Sequence, residues 1–167
     1  MIHPCIYEVT NIYTDGSRKN NKRGDQSGGS AGWGVEITQE NCTLKDDGVI
    51  SATTALLAEL YGPVVIDTTS TFFMGATDHT NNTAELTAVG EAVLWLIYNL
   101  PTIWSSAVIP LVKIVIHSDS DYAINTCTGK WSGHFNVQLY LQIRHFIDGL
   151  HVCIESLRSS QHSVMDS

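Results

Sequence analysis

The chain has 167 residues, 43% of them hydrophobic and 16% charged. That composition fits one folded domain with its own core and excludes a disordered segment or a scaffold that depends on staples. With 17 acids against 9 bases the formal charge is −8, which argues mildly against a nonspecific polyanion binder, since such proteins carry a basic footprint.

Cys5, Cys42, Cys127 and Cys153 are widely spaced and form no C-x-x-C pair, so neither a zinc ribbon nor a redox motif is readable. The N-terminus shows no basic stretch followed by a long apolar run, and no segment approaches about 18 uninterrupted apolar residues. The expectation is an intracellular protein without membrane contact. The glycosylation-like "NCT" at 41–43 is discounted on the same ground.

In chain order, "IYEVTNIYT" at 6–14 reads as the first strand, ended by the turn residues Asp15, Gly16 and Ser17. A polar, Gly-rich loop "RKNNKRGDQSGGS" follows. "AGWGVEIT" alternates Trp33, Val35 and Ile37 on one face, as a half-buried strand does. "VISATTALLAELYG" suggests a short helix, "PVVIDTT" an edge strand begun by Pro63, and "TFFMGAT" at 71–77 another strand. Leu86, Val89, Val93, Leu96 and Leu100 recur at spacings of three and four, which predicts an amphipathic helix over 83–99 that Pro101 ends. "LVKIVIH" reads as a central strand covered on both faces. Helices near 120–128 and 136–149 follow, then "HVCIESL" at 151–157 as a last strand and a polar, frayed tail at 158–167. Strands and helices in this order predict a mixed sheet with helices on its faces.

Three carboxylates sit at element ends. Asp15 closes the first strand and Asp119 the strand "VKIVIHSD", so parallel neighbouring strands would project both from one sheet edge, where open α/β sheets bind ligands. Glu85 lies in the first turn of the long helix. Two of them have a local alternative: Asp119 as a helix cap, and Glu85 as the acid of a capping box with Asn82. Three like charges brought together call for divalent cations, and such a cluster suits phosphodiester hydrolysis by two metals.

"YTDGS" at 13–17, "TNNTAEL" at 80–86 and "HSDSDYAIN" at 117–125, in that order, resemble the ribonuclease H domains of the cellular and retroelement type. The resemblance covers roughly residues 6–157. It implies an α/β ribonuclease H-like fold, a mixed five-stranded sheet with three antiparallel N-terminal strands and helices on both faces. Residues 1–157 form the domain, with 41–70 and 101–110 insertion-like. The resemblance implies an endonuclease that cuts the RNA strand of RNA/DNA hybrids, with Asp15, Glu85 and Asp119 as catalytic ligands of two Mg²⁺ or Mn²⁺ ions. Substrate roles fall to Gly16 and Ser17 at the RNA backbone, Asn81 and Asn82 in the minor groove, Thr80 with Asn136 at a DNA phosphate, and Tyr122 and Trp131 along the DNA channel. Trp131 has the alternative of closing the core, and Asn136 that of a simple N-cap.

The family normally adds a mobile histidine after the last strand and a fourth carboxylate about ten residues later. His162 matches the first; Asp166 follows by only four residues and matches the second poorly. His134 in "SGHFN" precedes the wrong element and reads as a turn residue. Asp78 and His79 stand where many relatives are basic, so positive charge near the site falls to Arg18, Lys19, Lys22 and Arg23. The competing reading is an inactive ribonuclease H fold that serves as a binding or structural domain, such as a retroelement remnant; a third is another nuclease of the same superfamily. The chain is expected to be monomeric or part of a larger polypeptide.

Overall fold

The computed structural model describes residues 7–19, 29–44, 48–104 and 112–165, with no side-chain description beyond Ser160. Four strands, β1 (Tyr7–Lys19), β2 (Ser30–Leu44), β3 (Ile50–Pro63) and β4 (Val112–Ser118), combine with three helices, α1 (Asn81–Trp104), α2 (Asp121–Cys127) and α3 (Val137–Met165). The sheet order is β3-β2-β1-β4. β1, β2 and β3 form antiparallel pairs, and β4 joins β1 in parallel. The chain is therefore mixed α/β with a four-stranded sheet among the described residues.

Alternation along β1 and β2 sets the core face. Thr10, Ile12, Thr14, Ala31, Val35 and Ile37 are buried, while Tyr13, Asp15 and Glu36 point the other way and are exposed. α1 packs across β1 and β2, and α3 packs on α1 and α2. By composition α1 is long and apolar enough to cross a membrane, but its apolar residues Leu86, Val89, Val93, Leu96 and Leu100 are buried in the core.

Several expectations are corrected. The Asp15–Gly16–Ser17 turn is absent: β1 continues to Lys19, with Asp15 paired to Gly34 and Ser17 to Gly32. The helix expected at 49–62 is β3, whose pairing with β2 overrides its Ala- and Leu-rich propensity. Residues 41–70, read as insertion-like, contain the end of β2 and all of β3. Pro63 ends β3 instead of starting a strand, and 71–77 form turns and irregular chain. Pro101 lies inside α1, because the buried Leu100 and Trp104 hold the final turn in the core.

Among the described residues β4 is an edge strand, not a central one. No fifth strand is found among the described residues: 151–157 continue α3, which runs on to Met165 into the expected tail. Helices on both faces are also not found among the described residues. The three helices contact one another beside α1, and the sheet face bearing Tyr13 and Glu36 is open among the described residues. The loop residues 20–28 and the segment 105–111 lie outside the described residues.

Candidate functional site

The parallel register pairs Thr14 with Ser118, so Asp15 and Asp119 leave neighbouring strands at the same end. Glu85 comes from above, on α1. Its approach depends on Gly16, where a Cβ atom would lie 2.8 Å from Glu85 Cα and nearer still to the backbone of Ala84 and Glu85. A side chain at this position would collide with backbone that cannot yield, so glycine is what lets the helix rest on the strand. Gly16 N–H also donates to the Glu85 carboxylate.

Helix capping leaves all three acids free. Thr80 Oγ1 accepts from Thr83 N–H at 3.0 Å, and Thr83 Oγ1 accepts from Thr80 N–H at 2.7 Å. This reciprocal pair is a capping box made of two threonines, so Asn82 and Glu85 are not one. At α2 the cap is Ser120, whose Oγ accepts from Ala123 N–H at 3.1 Å. Asp119 is not the cap.

One carboxylate oxygen from each of Asp15, Glu85 and Asp119 lies within 4.8 Å of the other two. Asp15 and Asp119 are exposed; Glu85 is only 9% exposed, and its Oε2 is buried with no hydrogen-bond partner. Burial first, then the charges of Asp119 and Asp15, push the Glu85 carboxyl up to about 7, against a smaller opposing effect of the Gly16 N–H. An orphaned carboxylate oxygen facing two more carboxylates is a donor set that fits a hard divalent cation. Beside it, two shallow grooves of about 380 and 560 Å³ meet at Asp15, Gly34 and Tyr61 on the open sheet face.

The remaining sequence-derived residues fall in three groups. Ser17, Asn81 and Asn82 are exposed, the two asparagines in the first turn of α1 one turn before Glu85. Tyr122 and Asn136 are brought together: Asn136 Nδ2 donates to Tyr122 Oη at 3.3 Å, and that hydroxyl donates to Phe135 O at 3.3 Å. Asn136 holds a left-handed backbone with φ 56°, a conformation Asn tolerates better than most residues. The Thr80 hydroxyl bonds to Thr83. Trp131 does not close the core; it is 49% exposed. His162 falls within α3 with its side chain undescribed, and Asp166 lies outside the described residues.

Three features escaped the sequence reading. Arg144 Nε and Nη2 donate to Thr126 O, and Nη2 also to Trp131 O at 2.8 Å, so one guanidinium holds the end of α2 and the following loop. His117 stacks on Tyr13 with ring centroids 4.6 Å apart and bonds Asn11 Oδ1 at 2.9 Å. Both ring nitrogens of His79 are buried without a partner among the described residues. Only the pairing of β1 with β4 brings Tyr13 to His117, which no local pattern announces.

No protein-family model matches the chain, and no curated protein matches it. Among solved structures it is similar to the crystal structure of LC9-RNase H1, a type 1 RNase H with the type 2 active-site motif. The two share 14% identity at a TM-score of 0.42, over 86% of this chain and 58% of that one. The chain thus spans less than two thirds of that protein's length, and a likeness at this level carries no argument about activity.

Proposed function

We propose that the chain is a metal-dependent endonuclease that hydrolyses the RNA strand of RNA/DNA hybrids, with Asp15, Glu85 and Asp119 holding two Mg²⁺ or Mn²⁺ ions. The observation that carries this reading is the convergence of three carboxylates from β1, α1 and the end of β4 within 4.8 Å, with capping assigned to other residues. The sequence blocks around these acids, and their resemblance to ribonuclease H, supply the choice of substrate. When bound, divalent cations supply activation of water and neutralisation of the departing oxygen.

The chain's own residues do the rest. Glu85 is held partly protonated near neutral pH, so charging the site requires it to release that proton. Gly16 N–H orients the carboxylate. Asn81 and Asn82 present amide donors and acceptors beside Glu85, suited to the groove edge of a hybrid with its 2′-hydroxyls. Tyr122 and Asn136 form a bonded pair.

A second reading, an inactive fold of this kind used for binding, is favoured by the helical 151–157, which leaves His162 without a preceding strand. The test is cleavage of a labelled RNA strand in a hybrid with Mg²⁺ and with Mn²⁺, beside Asp119→Asn, single-stranded RNA and duplex DNA. Hybrid-specific cutting that Asp119→Asn abolishes supports the nuclease. Metal binding to folded protein without cutting supports the second reading.

A further inference from the structure

The two edges of the sheet are built differently. β4 is seven residues long and carries Lys113 and His117, the short edge with a lysine that resists pairing with another chain. β3 is fourteen residues long, against a usual strand of about 5–6. From Ile50 to Ala58 it has no charge, Pro or Gly, the residues that normally guard an edge. Among the described residues β3 pairs with β2 alone, so its outer row of backbone groups is unpaired by any strand.

The first half of this edge is flat and open. Its register with β2 is unbroken from Ile50 to Leu56, and the irregularity comes only after Leu56, where Leu57 has no partner. Ala52, Thr53, Thr54, Ala55 and Leu56 are all exposed. Because successive side chains point to opposite faces, exposure of all five means that no described element overhangs the edge on either side. Ile50 and Leu56, six residues apart and so on one face, are 69% and 58% exposed.

We propose that Ile50–Leu56 pairs antiparallel with the same segment of a second copy of this chain, about a two-fold axis at Thr53, joining two four-stranded sheets into one. In that register Thr53 faces itself, Ala52 faces Thr54, Ser51 faces Ala55, and Ile50 faces Leu56. Small residues meet small ones, and the two Ile50–Leu56 pairs cover the largest exposed apolar side chains of the segment. This matched order about a central residue is what a copy of itself requires, whereas a strand from another protein would need no such order. Although each chain has a net charge of −8, the paired stretch brings no like charges together. The contact is isologous and closes at two copies. It goes beyond the nuclease reading and uses none of the residues that reading needs.

The experiment is sedimentation equilibrium of the full chain in EDTA over a range of concentrations. The wild type passes from monomer to dimer and no further, and added salt tightens the dimer by screening two chains of like charge. Thr53→Lys, which sets two ammonium groups opposite each other, weakens it about a hundredfold, while Lys113→Gln on the other edge leaves it unchanged. Thr53→Cys crosslinks two chains on mild oxidation, since facing Cβ atoms lie about 4.5–5.5 Å apart. Leu56→Cys, whose two copies stand about 20 Å apart along the strands, crosslinks no more than wild type. Thermal melts confirm the fold of each variant. A wild type that stays monomeric, a dimer that survives Thr53→Lys, a dimer that salt weakens, or growth past two copies each overturns the proposal. Equal crosslinking by Thr53→Cys and Leu56→Cys overturns it as well. Hybrid cleavage and Mn²⁺ binding are read separately on the same samples, so loss of either leaves this edge standing, and loss of the dimer leaves the nuclease reading standing.

Discussion

Gly16 and Glu85 are in backbone contact: a Cβ on Gly16 would reach within 2.8 Å of Glu85 Cα. The strand and the helix meet where the acidic cluster forms, so the cluster's geometry depends on a missing side chain. Gly16→Ala is expected to lift the first turns of α1 and to destabilise the protein by about 1–3 kcal/mol, the usual cost of overpacking. Mn²⁺ affinity should fall with it. Denaturant unfolding together with calorimetric Mn²⁺ titration checks both; unchanged Mn²⁺ affinity in a folded variant would show that the contact does not position Glu85.

The raised pKa of Glu85 predicts a pH dependence with a definite sign. Below the ordinary 4.5, folded and unfolded chains both carry the proton. From 4.5 to about 7 only the folded chain keeps it, so metal-free stability falls as pH rises through this window and levels above it. The loss is on the order of 3 kcal/mol. Glu85→Gln should flatten the curve, and Mg²⁺ should raise Tm at pH 8 but much less at pH 5. Thermal melts from pH 4 to 8.5 test this; a wild-type curve parallel to that of Glu85→Gln would sink it.

Capping and charge can be separated at Asp119 and Ser120. Ser120→Ala removes the bond to Ala123 N–H and should cost about 1 kcal/mol while metal binding survives. Asp119→Asn removes one like charge beside Glu85 and should abolish metal binding with stability kept or slightly raised. Paired melts and Mn²⁺ titrations distinguish the two, and a marked loss of stability in Asp119→Asn would return that residue to a structural role.

Thr83 is fully buried and its hydroxyl bonds Asp78 O at 2.8 Å as well as capping Thr80. Thr83→Ala should therefore cost about 1–2 kcal/mol, since a capping bond is lost and a buried carbonyl loses its donor. Thr83→Ser should recover most of it. Equal Tm values for the alanine and wild-type chains would contradict the role of the threonine pair.

The acidic cluster was legible because its three acids stand in short blocks whose order carries the meaning. The long helix and the alternation of Trp33, Val35 and Ile37 were legible from period, and the strand "VKIVIHS" from its near-continuous apolar run, which gave its existence but not its place at the sheet edge. β3 was not, because "ATTALLAEL" has residues that suit a helix and only the neighbouring β2 makes it a strand. Residues 151–157 misled in the opposite direction: Val152 and Ile154 suggest a strand, but Leu150, Ile154 and Leu157 fall on one helical stripe that continues Ile143 and Ile147 toward the core. The capping threonines were obscured by the adjacent Asn82 and Glu85, which have the same spacing as a capping box.

β1 and β4 are parallel neighbours although Glu8 and its partner Val112 are separated by most of the chain. The β1–β2–β3 meander can assemble from adjacent segments, but Asp119 reaches Asp15 only after a long closure across α1, which contact-order arguments place among the slow steps. A nascent or partly refolded chain would thus own a sheet and a helix before it owned a cation site. Cation affinity then becomes a clock for the completion of folding, and a divalent ion added during refolding would trap the finished state without hastening the early ones.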